Sequence, residues 1–294
     1  MNTSTNNTFS NGLCEQADSI TQHASDRASA LAPQRVRYPM RFRVLEVREV
    51  QRITPHLVRV KLEGDALEGF SSLGFDDHVK LFFPDPLTGK LVIPTMGPDG
   101  LIWPEGIKPI MRDYTPRRFD AAARTLDIDF ALHTAGPATL WAEQARPGQQ
   151  LGVGGPKGSF IVPTGFDWHL LIGDDTALPA ISRRLAELPP NAKATVLLEV
   201  DGPADHITFE SAAEFDIVWV HRSDAAQGDA PLLDALHDVQ ISPGIFHTWI
   251  GCESAQAKAL RAYLVTECAA NPKMIRASGY WRKGSMATHD SYDG

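Results

Sequence analysis

The residues with the clearest chemical content are Arg112, Tyr114 and Thr115, in the run MRDYTPRRF at 111–119. In an extended chain successive side chains alternate faces, so Arg112 and Tyr114 share one. A guanidinium offers a planar fork of donors to a phosphate and a phenol ring offers a stacking surface. The pair suits a ligand that is anionic at one end and flat at the other. A second candidate joins His133 to Gly136, Pro137, Ala138 and Thr139, where a strand-like run enters a helix. Proline in the first turn loses no hydrogen bond, and the unpaired N–H groups there attract an anion. The run GDDTALP at 173–179 brings Asp174 and Thr176 to the end of a short apolar strand, where open α/β sheets bind ligands. It is neither a G-x-G-x-x-G nor a Walker loop. Last, GYWRKG at 279–284 sets Trp281 beside Arg282 and Lys283. Taken singly, each has an ordinary structural reading as a packed strand, a capped helix, a tight turn or a solubilising end.

Other chemistries lack their residues. Cys14, Cys252 and Cys268 form no C-x-x-C pair, which removes an iron–sulfur cluster on the usual spacings, a cysteine-rich zinc site and a disulfide framework. The histidines make no H-E-x-x-H cluster, so no metal centre is expected, and no G-x-S-x-G elbow marks a nucleophile.

Two kinds of element must position these groups. Short alternating runs at 42–50, 56–62, 78–83, 91–93, 110–115, 125–132 and 159–162, separated by Gly, Pro and Asp turns, predict an antiparallel barrel with one helix at 137–144. From Trp168 the pattern changes to apolar strands (WHLLIG, ATVLLEV, DIVWVHR, HTWIGCE, MIRASGYW) alternating with helical stretches at 177–188, 231–239 and 254–268. That alternation predicts a parallel sheet flanked by helices. The fold class is therefore a two-domain α+β chain: a flexible tail over 1–37, a β-barrel over 38–163, an α/β domain over 164–285 and a tail over 286–294. At 294 residues and 43% apolar the chain has the size and composition for two globular domains, and its net charge of −8 argues against nucleic-acid and anionic-membrane partners. No apolar run approaches the roughly 20 residues of a membrane span. No secretory signal precedes the tail, and a reduced, cytoplasmic, monomeric protein is expected.

Five segments in register resemble the siderophore-interacting family of flavin-dependent ferric-chelate reductases, a branch of the ferredoxin–NADP reductase-like flavoproteins. They are DDHVKLFFP (76–84), MRDYTPRRF (111–119), HTAGPATLWAEQARPGQQLGVGGPKGSF (133–160), GDDTALPAISRRL (173–185) and GYWRKG (279–284). The resemblance implies FAD held by the barrel, with Arg112, Tyr114 and Thr115 in the R-x-Y-[ST] positions, Arg112 on its phosphate, Tyr114 against its ring, and His133 and Gly136–Thr139 on the pyrophosphate side. It implies NADPH or NADH on the second domain, with Asp174 and Thr176 at the flavin–nicotinamide junction and Trp281 close to the flavin. Lys80, Arg282 and Lys283 are the cations it places around a ferric siderophore or other Fe(III) chelate. Arg222 and the pair Arg183/Arg184 are candidates for a 2′-phosphate. Where the family shows Ala-Gly-Glu this chain has Gly251-Cys252-Glu253, a small residue at a βα turn or a thiol near the nicotinamide. One electron loosens the grip of hard oxygen ligands on Fe³⁺, and flavin converts a two-electron donor into one-electron steps. No catalytic protein base is then required. Two other readings stay open: a related flavoprotein reducing free flavin or a partner protein, and a non-catalytic siderophore-binding module.

Overall fold

The computed structural model describes residues 30–98, 100–104, 109–132, 136–224, 230–284 and 290–291. The first half holds β1 (Gln34–Arg37), β2 (Phe42–Thr54), β3 (Leu57–Glu63), β4 (Val79–Phe82), β5 (Thr95–Gly97), β6 (Gly100–Ile102), β7 (Met111–Tyr114), β8 (Pro116–Asp120), β9 (Thr125–Ala131), α1 (Pro137–Glu143), β10 (Gln150–Gly154) and β11 (Gly158–Ile161). Seven of these strands form one antiparallel sheet in the order β7-β4-β10-β2-β3-β9-β8. Leu45, Val47, Val60, Leu62, Leu81, Leu126, Ile128 and Val153 pack on its concave side. The alternation in β2 slips between Val47 and Glu49, where the register with β3 shifts by a bulge.

Among the described residues this sheet is an antiparallel half-barrel, in keeping with the expected all-antiparallel first domain. Its edge strands β7 and β8 are consecutive in the chain, joined through Thr115 alone, and no ladder pairs them. Pro116 opens β8 without an N–H to donate. The strand expected at 91–93 is absent; that segment instead lies over the sheet, where Ile93 fills the space a Cβ on Gly152 would need. The tail expected over 1–37 is structured in its described part: Leu31 is buried and β1 pairs with β11.

The second half holds β12 (Trp168–Asp174), α2 (Leu178–Glu187), β13 (Lys193–Val200), β14 (Glu214–His221), α3 (Pro231–His237), β15 (Phe246–Glu253), α4 (Ser254–Thr266), β16 (Ile275–Trp281) and β17 (Asp290–Ser291). The sheet order is β14-β13-β12-β15-β16-β17, all parallel except the β16–β17 pair. β12 and β15 are buried over nearly their whole length, as strands covered on both faces must be. The chain moves outward from β12 through β13 to β14, then returns to the other side of β12 with β15. The order therefore reverses between β12 and β15, and the crevice at their carboxyl ends is the topological switch point. One apolar cluster reaches from this domain into the first half through Leu57, Phe75 and Val162, so the two sheets pack along a shared seam.

Candidate functional site

The switch point gathers three segments. Gly173 and Gly251 are neighbours on β12 and β15, and a Cβ on Gly173 would run into the Ala177 side chain and lie 2.8 Å from the Gly251 carbonyl. Absence of side chains lets the two strands and the following turn converge. Asp174 caps that turn: its Oδ1 accepts from the Thr176 N–H (3.0 Å) and hydroxyl (2.5 Å). Its Oδ2 accepts from Trp281 Nε1 (2.7 Å). Burial first, and then the charge of Asp175, push the Asp174 carboxyl up to about 6. Glu253 ends β15 and caps α4 by accepting from the N–H groups of Ala255 (2.6 Å) and Gln256 (3.2 Å), while its other oxygen accepts from the Lys283 N–H (3.2 Å). Ser254 Oγ donates to the Trp281 carbonyl (3.1 Å). The turn after β12, the turn after β15 and the end of β16 are thus tied together, and Asp174, Thr176 and Trp281 meet there.

On the first sheet, β7 pairs with β4 so that Tyr114 lies opposite Val79 and Arg112 opposite Leu81. Both partners are fully buried, so Arg112 and Tyr114 share the concave face. Tyr114 packs on Phe130 (4.5 Å between centroids), and Phe130 on Trp141 of α1 (5.7 Å). This aromatic row brings the start of α1 to the same corner. Arg112 is half-buried and donates to the Met111 carbonyl (2.7 Å). Gly136 caps α1, and a Cβ there would meet nothing within 4 Å. The N–H groups of Ala138 and Thr139 belong to the first turn, which has no intrahelical acceptors. A guanidinium, a ring and open space before a helix start fit the phosphate and flat ring of FAD. His133 lies outside the described residues.

Lys80 sits on the opposite side of the sheet. It pairs with Asp113 across the ladder and donates to its carboxylate (2.7 Å). Arg282 and Lys283 are exposed beyond β16. The three arginines suggested for a 2′-phosphate are otherwise engaged. Arg222 ties three strand ends together through Asp175 (2.7 Å), Glu199 (2.7 Å) and Asp201 (3.1 Å). Arg184 is buried and donates to the carbonyls of Val162 (2.9 Å) and Pro163 (2.5 Å). Arg183 donates to Ser72 Oγ (2.9 Å), the Ser72 carbonyl (3.1 Å) and the Pro116 carbonyl (3.0 Å). Cys252 is fully buried, and burial with Asp174, Glu199 and Glu253 nearby pushes its thiol well up, so it is a small packed side chain. Among the described residues no cluster of three or more His, Cys, Asp or Glu side chains is arranged to hold a metal ion. No described helix is long and apolar enough to cross a membrane.

Residues not singled out beforehand cluster at the seam. Asp76 Oδ2 accepts from Arg276 Nε (2.6 Å) and Trp249 Nε1 (3.2 Å), and Arg276 lies over Phe160 (4.3 Å to the centroid). Asp76, within the DDH run, and Phe160, at the end of the 133–160 segment, carried an advance signal; Trp249 and Arg276 take their meaning from partners remote in sequence.

An antiparallel sheet bearing Arg112 and Tyr114, packed against a parallel sheet with its switch point beside Trp281, defines a two-domain fold of the ferredoxin-reductase type. The ferredoxin reductase of carbazole 1,9a-dioxygenase has this fold (TM-score 0.56, 17% identity, 81% of this chain and 69% of that one). The family follows from sequence: the siderophore-interacting FAD-binding domain model matches residues 46–160 and the siderophore-interacting protein model matches 166–284, and the chain belongs to the siderophore-interacting protein family. It is 39% identical to the NADPH-dependent ferric-chelate reductase of Escherichia coli over 85% of this chain and 96% of that protein. It is 35% identical to the ferric vibriobactin reductase of Vibrio cholerae, covering 82% and 90%. A siderophore utilization protein from T. fusca superposes with a TM-score of 0.80 at 41% identity, covering 86% and 97%.

Proposed function

We propose that this protein is an FAD-dependent ferric-siderophore reductase that draws its electrons from NADPH. The observation that carries the reading is the similarity to a ferric-chelate reductase along nearly the whole of both chains. The convergence of Asp174, Thr176 and Trp281 at the switch point supports it. A bound FAD would supply the conversion of a two-electron hydride donor into single-electron steps, so that one NADPH would serve two ferric ions. Residues 38–163 form the flavin-binding unit, with β1 packed onto it through β11, and residues 164–285 form the nicotinamide-binding unit.

Each side chain has a task in that scheme. Arg112 neutralises a phosphate, joined by His133 and by the helix start at Gly136, Pro137, Ala138 and Thr139. Tyr114 and Thr115 hold the ring. Asp174 fixes Trp281 at the crevice mouth and, with Thr176, shapes the place where a nicotinamide meets the ring. Arg282 and Lys283 attract an anionic ferric chelate, the substrate. Lys80 adds a cation whose pull is offset by Asp113. No side chain has to take a proton from the substrate. The protein acts alone, in the cytoplasm, without a nucleic-acid or membrane partner.

An anaerobic titration tests the assignment. NADPH added to the purified yellow protein should bleach the visible flavin band. A ferric siderophore should then restore it, with two ferrous ions captured by a chelating dye per NADPH consumed. Bleaching without ferrous release would point to another acceptor, and a colourless protein indifferent to NADPH would end the proposal.

A further inference from the structure

The link between the two edge strands of the first sheet has an unusual set of restraints. Thr115 belongs to neither β7 nor β8: Tyr114 before it pairs with Val79 and Pro116 after it pairs with Ile128, and Thr115 itself lies between the two ladders. Thr115 is nonetheless buried, at 6% exposure. Two further restraints come from the other domain. The Tyr280 side chain, on β16, lies within hydrogen-bonding reach of the Thr115 side chain. Arg183, on α2, donates to the carbonyl of the next residue, Pro116 (3.0 Å). Both clamps are themselves anchored. Tyr280 packs edge-on against Trp249 (5.9 Å), whose Nε1 donates to Asp76. Arg183 also donates twice to Ser72.

We infer that Tyr280 and Arg183 are positioning residues for the ring-facing end of β7, acting through Thr115 and Pro116. A hydroxyl turns freely about its Cβ–O bond and serves as both donor and acceptor. With Tyr280 occupying part of the Thr115 hydroxyl's hydrogen-bonding capacity, the remainder stays available to a ligand beside Tyr114. Holding the Pro116 carbonyl stops the joint from swinging, so the domain that carries the nicotinamide crevice also sets the geometry of the flavin strand. Arg183 belongs to this joint rather than to a 2′-phosphate.

The inference rests on the reading that FAD lies against Arg112, Tyr114 and Thr115, and its test separates the two. The full-length protein is stripped of flavin and retitrated with FAD, following affinity and the visible spectrum of the bound flavin. One side-chain hydrogen bond is worth about 0.5–1.5 kcal/mol, or roughly 2- to 12-fold in affinity. Tyr280→Phe, which keeps the ring and its packing, should weaken FAD binding by several-fold and shift the flavin band. In a Thr115→Val background the same substitution should change neither. Arg183→Gln should weaken binding similarly, and it carries the test if Tyr280→Phe does not fold. Affinity within twofold of wild type and an unshifted band in both variants would overturn the inference, as would an equal Tyr280→Phe effect with Val at 115. A wild-type protein that takes up no FAD would overturn the functional reading and this one with it.

Discussion

Asp174 accepts hydrogen bonds from Thr176 through one oxygen and from Trp281 through the other, in a place with almost no access to water. Burial, reinforced by the neighbouring Asp175 charge, lifts its pKa to about 6, whereas an unfolded aspartate ionises near 3.9. Between those values the folded chain holds a proton that the unfolded chain has lost. Relative to Asp174→Ala, wild type should therefore have its largest stability margin below about pH 4 and lose it as pH rises through 6. Urea midpoints of both proteins across pH 4–7.5 check this; a margin growing with pH would contradict it. Above pH 6 the carboxylate makes a charge-assisted bond to Trp281, so the emission lost in Trp281→Phe should titrate near 6. Lys80 and Asp113 give a second prediction at this scale. Both are only partly buried (side-chain exposure 37% and 27%), so removing the acid should lower KM for an anionic ferric chelate only about two- to threefold. The change in Asp113→Ala should fade at high salt, and steady-state kinetics at two ionic strengths would show whether it does. Arg112 and Tyr114 were legible because alternation along a strand is local. Arg183 and Arg222 were not, since their partners lie up to 111 and 47 residues away.

The elements show the same division between local and distant causes. Strands such as WHLLIG and ATVLLEV, buried on both faces, read as continuous apolar runs. β8 (PRRFD) and β10 (QLGVG) did not read as strands, because one is charged and the other is glycine-rich. Gly152 and Gly154 in β10 are small because Ile93, Phe82 and Phe42 occupy the space beside them, a fact invisible until those segments are superimposed. In β2 the run of apolar residues includes an exposed Val44 and hides a buried Arg43, whose guanidinium reaches the carbonyls of Ala66 and Gly155. At the switch point the requirement for glycine is steric and can be tested. Gly173→Ala would push a methyl into Ala177 and the Gly251 carbonyl, backbone included, so the clash cannot be relieved by a rotamer change. Overpacking of this kind costs about 1–3 kcal/mol. The upper end is expected, read as a lower urea midpoint at unchanged m. Because the displaced turn carries Asp174, NADPH affinity should fall with it.

At the scale of the whole molecule, a chain with a net charge of −8 concentrates several of its cations at the seam between its sheets, where they hold the halves together. Arg184 reaches the carbonyls of Val162 and Pro163, Arg183 reaches Ser72 and Pro116, and Arg276 meets Asp76. The Asp76–Arg276 pair is the most demanding of these contacts. Its side chains are 4% and 19% exposed, and Asp76 Oδ1 is buried with no partner. Such a pair is costly to form and costlier to break: losing one member leaves the other charge in a poorly solvated place, typically at about 3–5 kcal/mol, while replacing both by apolar groups is often neutral. Asp76→Ala removes the counter-charge of Arg276 and the acceptor of Trp249 Nε1 together. It should therefore cost about 3 kcal/mol, and more in cooperativity than in either sheet. Unfolding followed by tryptophan fluorescence and by far-ultraviolet circular dichroism should coincide in wild type and separate in Asp76→Ala as the domains come apart. The double variant Asp76→Ala/Arg276→Met should regain at least half of the lost stability and bring the two transitions back together. Equal damage in the single and double variants would mean that the seam is held by its apolar cluster and that the ion pair only fixes its register.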